Sequence, residues 1–513
     1  MIVKNLNFGD EARDQVFKGI EKLANAVSST LGASGKCVIL EDQHGNPVIT
    51  KDGVTVADSI VLYDPVENIG ATLIKEAARK TVKEAGDGTT TATILAHSIL
   101  NEAYKHLDKS NNRLIKEGIL SAVDKVIDYL ETNSVPVENR IKEIATISTN
   151  NDPELGALIA EAFTEVGKTG VVIMESSSLA ETEVEIVEGI EYDKGLLNPN
   201  FITDKEQNLC ELDNPLVMIV DSKIESVRQV QTVLEHVIKT NKSLFIIGHV
   251  EPPVLSALVM NKMKGNIKVN VVDPPAFGLR RQEILEDLAL LTNSQIIDEN
   301  LGDDLNTIQI DYLGSCLKTT STNDQTIIQV DDVPKEVEQI ISNIKDKLNK
   351  KLKPHEVIGY EHRLARLSAK VAIVKVGANS DIELKEKQDR VEDAICATKA
   401  AIKEGIVSGG GVALLNASSN IKPLNIGEEI LLKAILYPFN IILENAGIEK
   451  EVSKKDGFGI NVVTGKMVHM IQEGIIDPLL VTKSALKNAA SVATTILSTN
   501  CVINNIRANE GNR

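Results

Sequence analysis

The pattern of apolar and polar positions makes the chain helical at both ends and alternating between strand and helix in the middle. Between Asp10 and Gly32 the apolar residues Ala12, Val16, Ile20, Leu23, Val27 and Leu31 recur at spacings of three and four. That spacing predicts an amphipathic helix, started by Asp10 and stopped by Gly32. Short β-rich pieces follow at 37–40 (CVIL) and 48–50 (VIT), and helices are expected from about Pro65 to Ala85 and from about Gly88 to Leu107. In the middle, PLVMIV (215–220), SLFII (243–247) and IKVNVV (267–272) are apolar runs rich in branched residues, separated by helical stretches near 225–239 and 253–264. This alternation marks an α/β domain. Helical character returns after residue 372, in 390–405 and 484–497. Two helical ends therefore enclose an α/β insert. No repeat, low-complexity tract or long polar linker separates them, so the boundaries should be hinges rather than tethers.

At 513 residues the chain exceeds what one core usually fills, so several domains are expected. Apolar residues at 42% and charged residues at 25% describe a folded, globular protein. A net charge of −18 argues against nucleic-acid partners, which need a basic surface. The five cysteines (Cys37, Cys210, Cys316, Cys396, Cys501) are odd in number and far apart, which suits a reducing compartment. The N-terminus resembles neither a signal nor a transit peptide, and no window approaches the ~18 apolar residues of a membrane span. A cytoplasmic protein with no membrane partner is expected.

Candidate chemistry concentrates in Ala85–Thr93, AGDGTTTAT. Asp87 followed by Gly88, Thr89, Thr90 and Thr91 sets a carboxylate and a run of N–H and hydroxyl donors at a helix start. The first N–H groups of a helix lack internal partners and its dipole favours anions, so phosphate suits the arrangement. An Asp cap with threonines in the first turn is the plainer reading, and the full GDGTTT run favours phosphate over it. A second cluster, Ser408-Gly-Gly-Gly-Val412, serves equally as a close approach to a ligand or as a turn. Residues 162–169 mimic a P-loop but begin with Ala and lead into the strand-like VVIM, and 32–37 fail the same test. Spacing alone makes Asp52 a turn residue and Asp393 a helix-surface charge. The eight histidines form no metalloprotease pattern, and no Ser-His-Asp signature is present.

Taken together, TLGASGK (30–36), VITKDG (48–53), EAGDGTTTAT (84–93), RVEDAICATKAAIKEGIVSGGGVAL (390–414) and IIDPLLVTKSALKNAASVA (475–493) resemble the group I, GroEL-like chaperonins. The resemblance covers nearly the whole chain, with the motifs in order and at family spacing. It implies a multidomain α+β chaperonin fold. A mainly helical equatorial ATP-binding domain would comprise 1–133 and 404–513, a small intermediate hinge domain 134–187 and 372–403, and an α/β apical client-binding domain 188–371. The implied protein is an ATP-dependent chaperone forming a homo-oligomeric heptameric ring, single or double, that encloses non-native proteins, with a lid co-chaperonin as a further candidate partner. ATP and Mg²⁺ are the implied cofactors, with K⁺ a further candidate ion.

By motif match, Thr30, Leu31, Gly32, Ala33, Lys51, Asp87, Gly88, Thr89, Thr90, Thr91, Gly410, Asn461, Val462, Val463 and Asp477 would contact ATP, and Asp87 would hold Mg²⁺. Asp393 would orient or deprotonate the attacking water, assisted by Asp52. Leu196, Phe201, Leu234, Leu255, Val259 and Met260 would form the client-binding face. The chain departs from the family pattern at Ala33, Val462 and Val463 around the nucleotide, at Lys370 near a hinge, and at Asn200 and Gln231 on the client face. Its C-terminus lacks a Gly-Gly-Met tail, and the charged stretch 446–461 is shorter than usual, which bears on single or double rings. Two rival readings are a protein-binding scaffold without turnover and a metabolic ATPase or kinase. The joint presence of Asp52, Asp87 and Asp393 weighs against the first, and the missing Walker and kinase motifs weigh against the second.

Overall fold

The computed structural model describes residues 4–505 apart from 42–44, 46, 108–110, 138–139, 150, 168–170, 178, 193, 206–207, 275–278, 332–333, 349–359, 361–362, 365–366, 368–369 and 450–454. The first apolar stripe becomes the buried face of the Gly9–Ser28 helix, where Ile20, Leu23 and Val27 are sealed from solvent. This helix starts before Asp10 without a side-chain cap, and it ends before Gly32, which lies beyond it at φ +85°. Pro65–Ala85 forms as expected, because the Asp64 carboxylate accepts from the Val66 and Glu67 amides and Gly86 closes the far end in a left-handed conformation. The helix expected from Gly88 to Leu107 spans Thr89–Tyr104.

The chain divides into two compact units, one comprising residues 1–161, 174–183 and 375–513, the other 162–173 and 184–374. The first is mainly helical. Its Leu479–Leu497 helix buries Ala485, Ala489, Ala490 and Ala493 completely, and such small side chains let it lie close against Pro65–Ala85 and Thr89–Tyr104. Distant parts of the chain are joined here by short antiparallel pairs. Lys4–Phe8 pairs with Cys501–Asn505, and Ile406–Ser408 with Ile476–Pro478. Two hairpins, Val38–Glu41 with Pro47–Thr50 and Phe458–Asn461 with Lys466–His469, complete the unit's strands among the described residues.

The second unit is the α/β insert. The runs read as buried strands become Leu216–Ile224, Ser243–Val250 and Lys268–Val272, which pair in parallel and present Val217, Ile219, Phe245, Ile247 and Val271 to a dry core. A six-stranded sheet runs in the order Val171–Ser176, Lys370–Val376, Glu183–Tyr192, Thr326–Val330, Lys318–Ser321 and Cys210–Asp213. The helix expected near 225–239 opens as a 3-10 turn at Val227–Val230 and continues as Gln231–Thr240. Lys370, expected at a hinge, opens a strand.

Two expectations for the client face fail in this unit. Phe201 is completely buried and Val259 is 7% exposed, so both are core residues. The Pro252–Met263 helix turns Val254, Leu258 and Val259 inward, leaving Met260 and Met263 outside. Within the charged stretch 446–461, residues 450–454 lie outside the described part. Among the described residues no helix is long and apolar enough to cross a membrane.

Candidate functional site

Nine separate segments of the first unit converge on one cavity of about 980 Å³. Thr30–Ala33 leave the end of the Gly9–Ser28 helix in a tight turn, in which Thr30 Oγ1 donates to the Val27 carbonyl and the Gly35 amide to that of Gly32. Asn445 secures this turn by donating from Nδ2 to the carbonyls of Ser28 and Leu31. Lys51 and Asp52 follow the second strand of the first hairpin. Asp52 caps the Gly53–Ser59 helix, accepting from the amides of Val54 at 3.1 Å and Thr55 at 2.7 Å. Its carboxylate is thereby fixed in place.

The GDGTTT run adopts the geometry its composition suggested. Gly88 stands ahead of the Thr89–Tyr104 helix at φ +95° and offers no side-chain cap, so the amides of Thr89, Thr90 and Thr91 meet no capping side chain from it. Gly53 lies against this helix start: a Cβ there would come within 2.1 Å of Thr90 Oγ1. A side chain there would have to displace the Thr90 hydroxyl, so glycine lets the Asp52 turn lie close against the threonines.

Gly410 at φ +63° and Gly411 at φ +76° bring the backbone before the Val412–Asn420 helix to the cavity wall, and the Gly410 amide donates to Asp477. The glycine cluster is thus both a turn and a close approach. Asn461 lies at the end of Phe458–Asn461, its Oδ1 accepting from the amides of Val463 and Thr464. Val462 and Val463 line the same part of the cavity, beside Ile460, Met470 and Ile475. Every nucleotide-contact residue expected from the sequence lines this cavity, as do Asp52 and Asp393.

The electrostatics are dominated by carboxylates. Burial raises Asp87 above the usual carboxylate range, its bond from the Gly88 amide opposes that shift, and nearby Asp52 adds to it. Asp393, on the Asp381–Glu404 helix, is raised well above the usual range by burial and then by Asp87, Asp52, Glu392 and Asp389. Asp477 is pushed to about 7 by burial, with Asp87 adding to the shift. Lys51 is lowered by burial and by Arg390, against the opposing effects of Cys37 and Glu386. Such a cluster strongly favours positive charge, and the threonine amides beside it favour phosphate.

Sequence reasoning missed Asp389, which lines the cavity one helical turn before Asp393 and is pushed to about 6, chiefly by burial and then by Asp52. The signal was the four-residue spacing from Asp393, which puts both carboxylates on one helix face. It also missed the Ile141–Ser148 helix, whose Glu143, Thr146 and Ile147 form part of the wall.

In the second unit, Leu196, Leu234 and Leu255 are half-buried against the core, and Met260 is 56% exposed. Met263 at 69% and Ile238 at 55% are exposed apolar residues that the sequence did not single out.

The family model described as the TCP-1/cpn60 chaperonin family matches residues 23–507. Among solved structures, the chain is similar to the chaperonin gp146 from the bacteriophage EL 2 (Pseudomonas aeruginosa), crystallised in the presence of ATP-BeFx. The TM-score is 0.73 against crystal form II and 0.66 against crystal form I. In both, identity is 22% and the match covers 98% of this chain and 99% of the other. At that identity the likeness is one of fold.

Proposed function

The chain belongs to the TCP-1/cpn60 chaperonin family, and we propose that it is an ATP-driven ring chaperone that captures and encloses non-native proteins and assists their folding. Its fold is the multidomain α+β chaperonin fold. The observation that carries the proposal is the gathering of residues 30–33, 51–52, 87–91, 393, 410, 461–463 and 477 around one cavity. Polyphosphate fits the Thr89–Thr91 helix start, while the apolar wall of Ile460, Val462 and Met470 beside Asn461 suits a nucleobase.

Among the described residues no set of three or more His, Cys, Asp or Glu side chains forms a metal cage. Mg²⁺ fits nonetheless, because it is commonly held by one or two carboxylates together with substrate phosphates and water. Asp87 would hold it, and when bound the ion supplies positive charge to the phosphate oxygens. The remaining work falls to the protein. Lys51 neutralises phosphate charge, and the Thr89–Thr91 amides orient the phosphates. Asp52, held by two amides, helps fix the attacking water, and Asp393 takes its proton. Burial and the surrounding carboxylates raise the proton affinity of Asp393, which makes it a stronger base once it is ionised.

The three-domain division at 133/134, 187/188, 371/372 and 403/404 is part of the proposal, with the hinged Asp381–Glu404 helix carrying Asp393 to and from the phosphates. So are a heptameric ring, capture of clients through exposed apolar residues such as Met260, a lid co-chaperonin and K⁺ as a second ion. The five cysteines are free thiols, which suits the cytoplasmic location we assign. The test is Mg²⁺-dependent ATP hydrolysis by the purified protein, alongside recovery of a denatured test enzyme. Capture of denatured protein without hydrolysis would favour the scaffold instead, and neither activity would sink both readings.

A further inference from the structure

Asp389 lies four residues before Asp393 on the Asp381–Glu404 helix, and both line the nucleotide cavity. At that spacing their Cβ atoms are about 5–6 Å apart on one face of the helix. We propose that Asp389 is a positioning residue for hydrolysis, receiving the proton that Asp393 removes from the attacking water and releasing it to solvent. This rests on reading Asp393 as the base.

The step balances without any redox partner. As the water oxygen bonds to the γ-phosphorus, the bond from that phosphorus to the ADP oxygen breaks, and the water's proton passes to Asp393. It then crosses a bridging water to Asp389 and leaves for solvent, and that loss at neutral pH draws the proton off Asp393 and frees the base for another turnover. Asp52 is ill suited to the relay because amides of Val54 and Thr55 hold its two oxygens. Its fixed charge instead favours a proton on either neighbour, since it raises both Asp389 and Asp393.

Charged groups surround the pair on several elements, and the Ile141–Ser148 helix, packed against the Asp381–Glu404 helix, brings Lys142 and Glu143 to the same cavity wall. On the shared helix, Glu386 and Glu392 raise Asp389 and Lys385 lowers it, while Glu392 also raises Asp393. Arg390, on the same helix, is paired with Glu386. Asp52 faces both carboxylates from the Gly53–Ser59 helix start, and Asp87 faces Asp393 from the loop before Thr89. Lys51, from the hairpin, senses Arg390 and Glu386. Asp389 itself, pushed to about 6, is ionised and ready to accept a proton at neutral pH.

The test is steady-state ATP hydrolysis by the full-chain assembly as a function of pH, with nucleotide binding measured in parallel. Asp389→Asn should bind ATP as the parent does but turn over about tenfold more slowly at neutral pH. It should also lose the fall in rate expected of the parent as pH drops through about 6. Asp389→Ser should behave alike and regain rate with added formate, a small carboxylate able to carry the proton. Parental kcat and pH profile in either variant overturn the relay, as does a loss confined to KM. If Asp393→Asn hydrolyses ATP at the parental rate, the base reading falls and takes the relay with it. A slowed Asp393→Asn beside a parental Asp389→Asn removes the relay alone.

Discussion

Gly86 lies against Cys396: a Cβ added to the glycine would sit 2.4 Å from the cysteine Cβ and 2.7 Å from its Sγ. Gly86 immediately precedes Asp87, and Cys396 follows Asp393 by three residues on its helix, so this contact joins the segments that carry the two carboxylates. The glycine also adopts φ +74°, which L side chains enter only with strain. Gly86→Ala should therefore destabilise the protein by about 1–3 kcal/mol and lower ATP turnover more than ATP binding. Urea unfolding and single-turnover kinetics read the two effects separately. A variant with parental stability and turnover would show that the contact yields without consequence.

The two carboxylates should fail differently. Asp393→Ala should keep ATP binding near the parental level and slow hydrolysis by about 10²–10⁴, because the side chain acts on water. Asp87→Ala should weaken Mg²⁺-ATP binding itself. Calorimetric titration separates these losses, and equal binding defects in both variants would refute the division of labour.

Asp477 predicts a conflict between function and stability. Burial raises its carboxyl to about 7, so the folded state holds the proton more tightly than the unfolded chain does. The resulting stabilisation is complete below the unfolded value of about 4 and is lost as pH rises through about 7. Asp477→Asn cannot ionise and keeps an acceptor for the Gly410 amide. Without nucleotide it should be more stable than the parent above neutrality, by about 1–3 kcal/mol, with the gain shrinking as pH falls below about 7 and vanishing only below about 4. Denaturant titrations on both sides of neutrality check the sign, and nucleotide binding should weaken.

On the client side, Met260 and Met263 now carry the prediction. Replacing both with Ser should reduce capture of a denatured test protein with little change in the unfolding midpoint. Val259→Ser should do the reverse, costing about 1–4 kcal/mol in stability through a buried hydroxyl and lost packing. Unchanged capture by the double methionine variant would move the client surface elsewhere.

Assembly is checked by native mass spectrometry. Seven copies of the 55.6 kDa chain weigh 7 × 55.6 = 389.2 kDa, and two such rings weigh 778.4 kDa. A ring of either size is expected, and a stable monomer with and without ATP would contradict the proposed enclosure of clients.

The sequence by itself determined the local elements and the chemistry available to them. The three- and four-residue spacing along 10–31, the Asp-Pro start of Pro65–Ala85 and the branched runs of the insert each act through neighbouring residues, so they are readable in one dimension. The glycine and threonine run was likewise legible as an anion-binding helix start. Only the tertiary structure could bring residues 30, 51, 87, 393, 410, 461 and 477 around one cavity, because that closure depends on packing between segments hundreds of residues apart. It also decided which side of the Pro252–Met263 helix is core. Val254, Leu255, Leu258, Val259, Met260 and Met263 ring that helix with apolar side chains, so periodicity favours no face, and the neighbouring sheet and loops select the inward one. Val259 was misplaced for that reason, whereas Phe201, in the short turn Pro199–Phe201, was placed by the family resemblance, which does not report burial in this chain. Asp389 was overlooked for the complementary one: a lone carboxylate on a charged helix resembles a solvated surface residue until the fold closes a cavity over it.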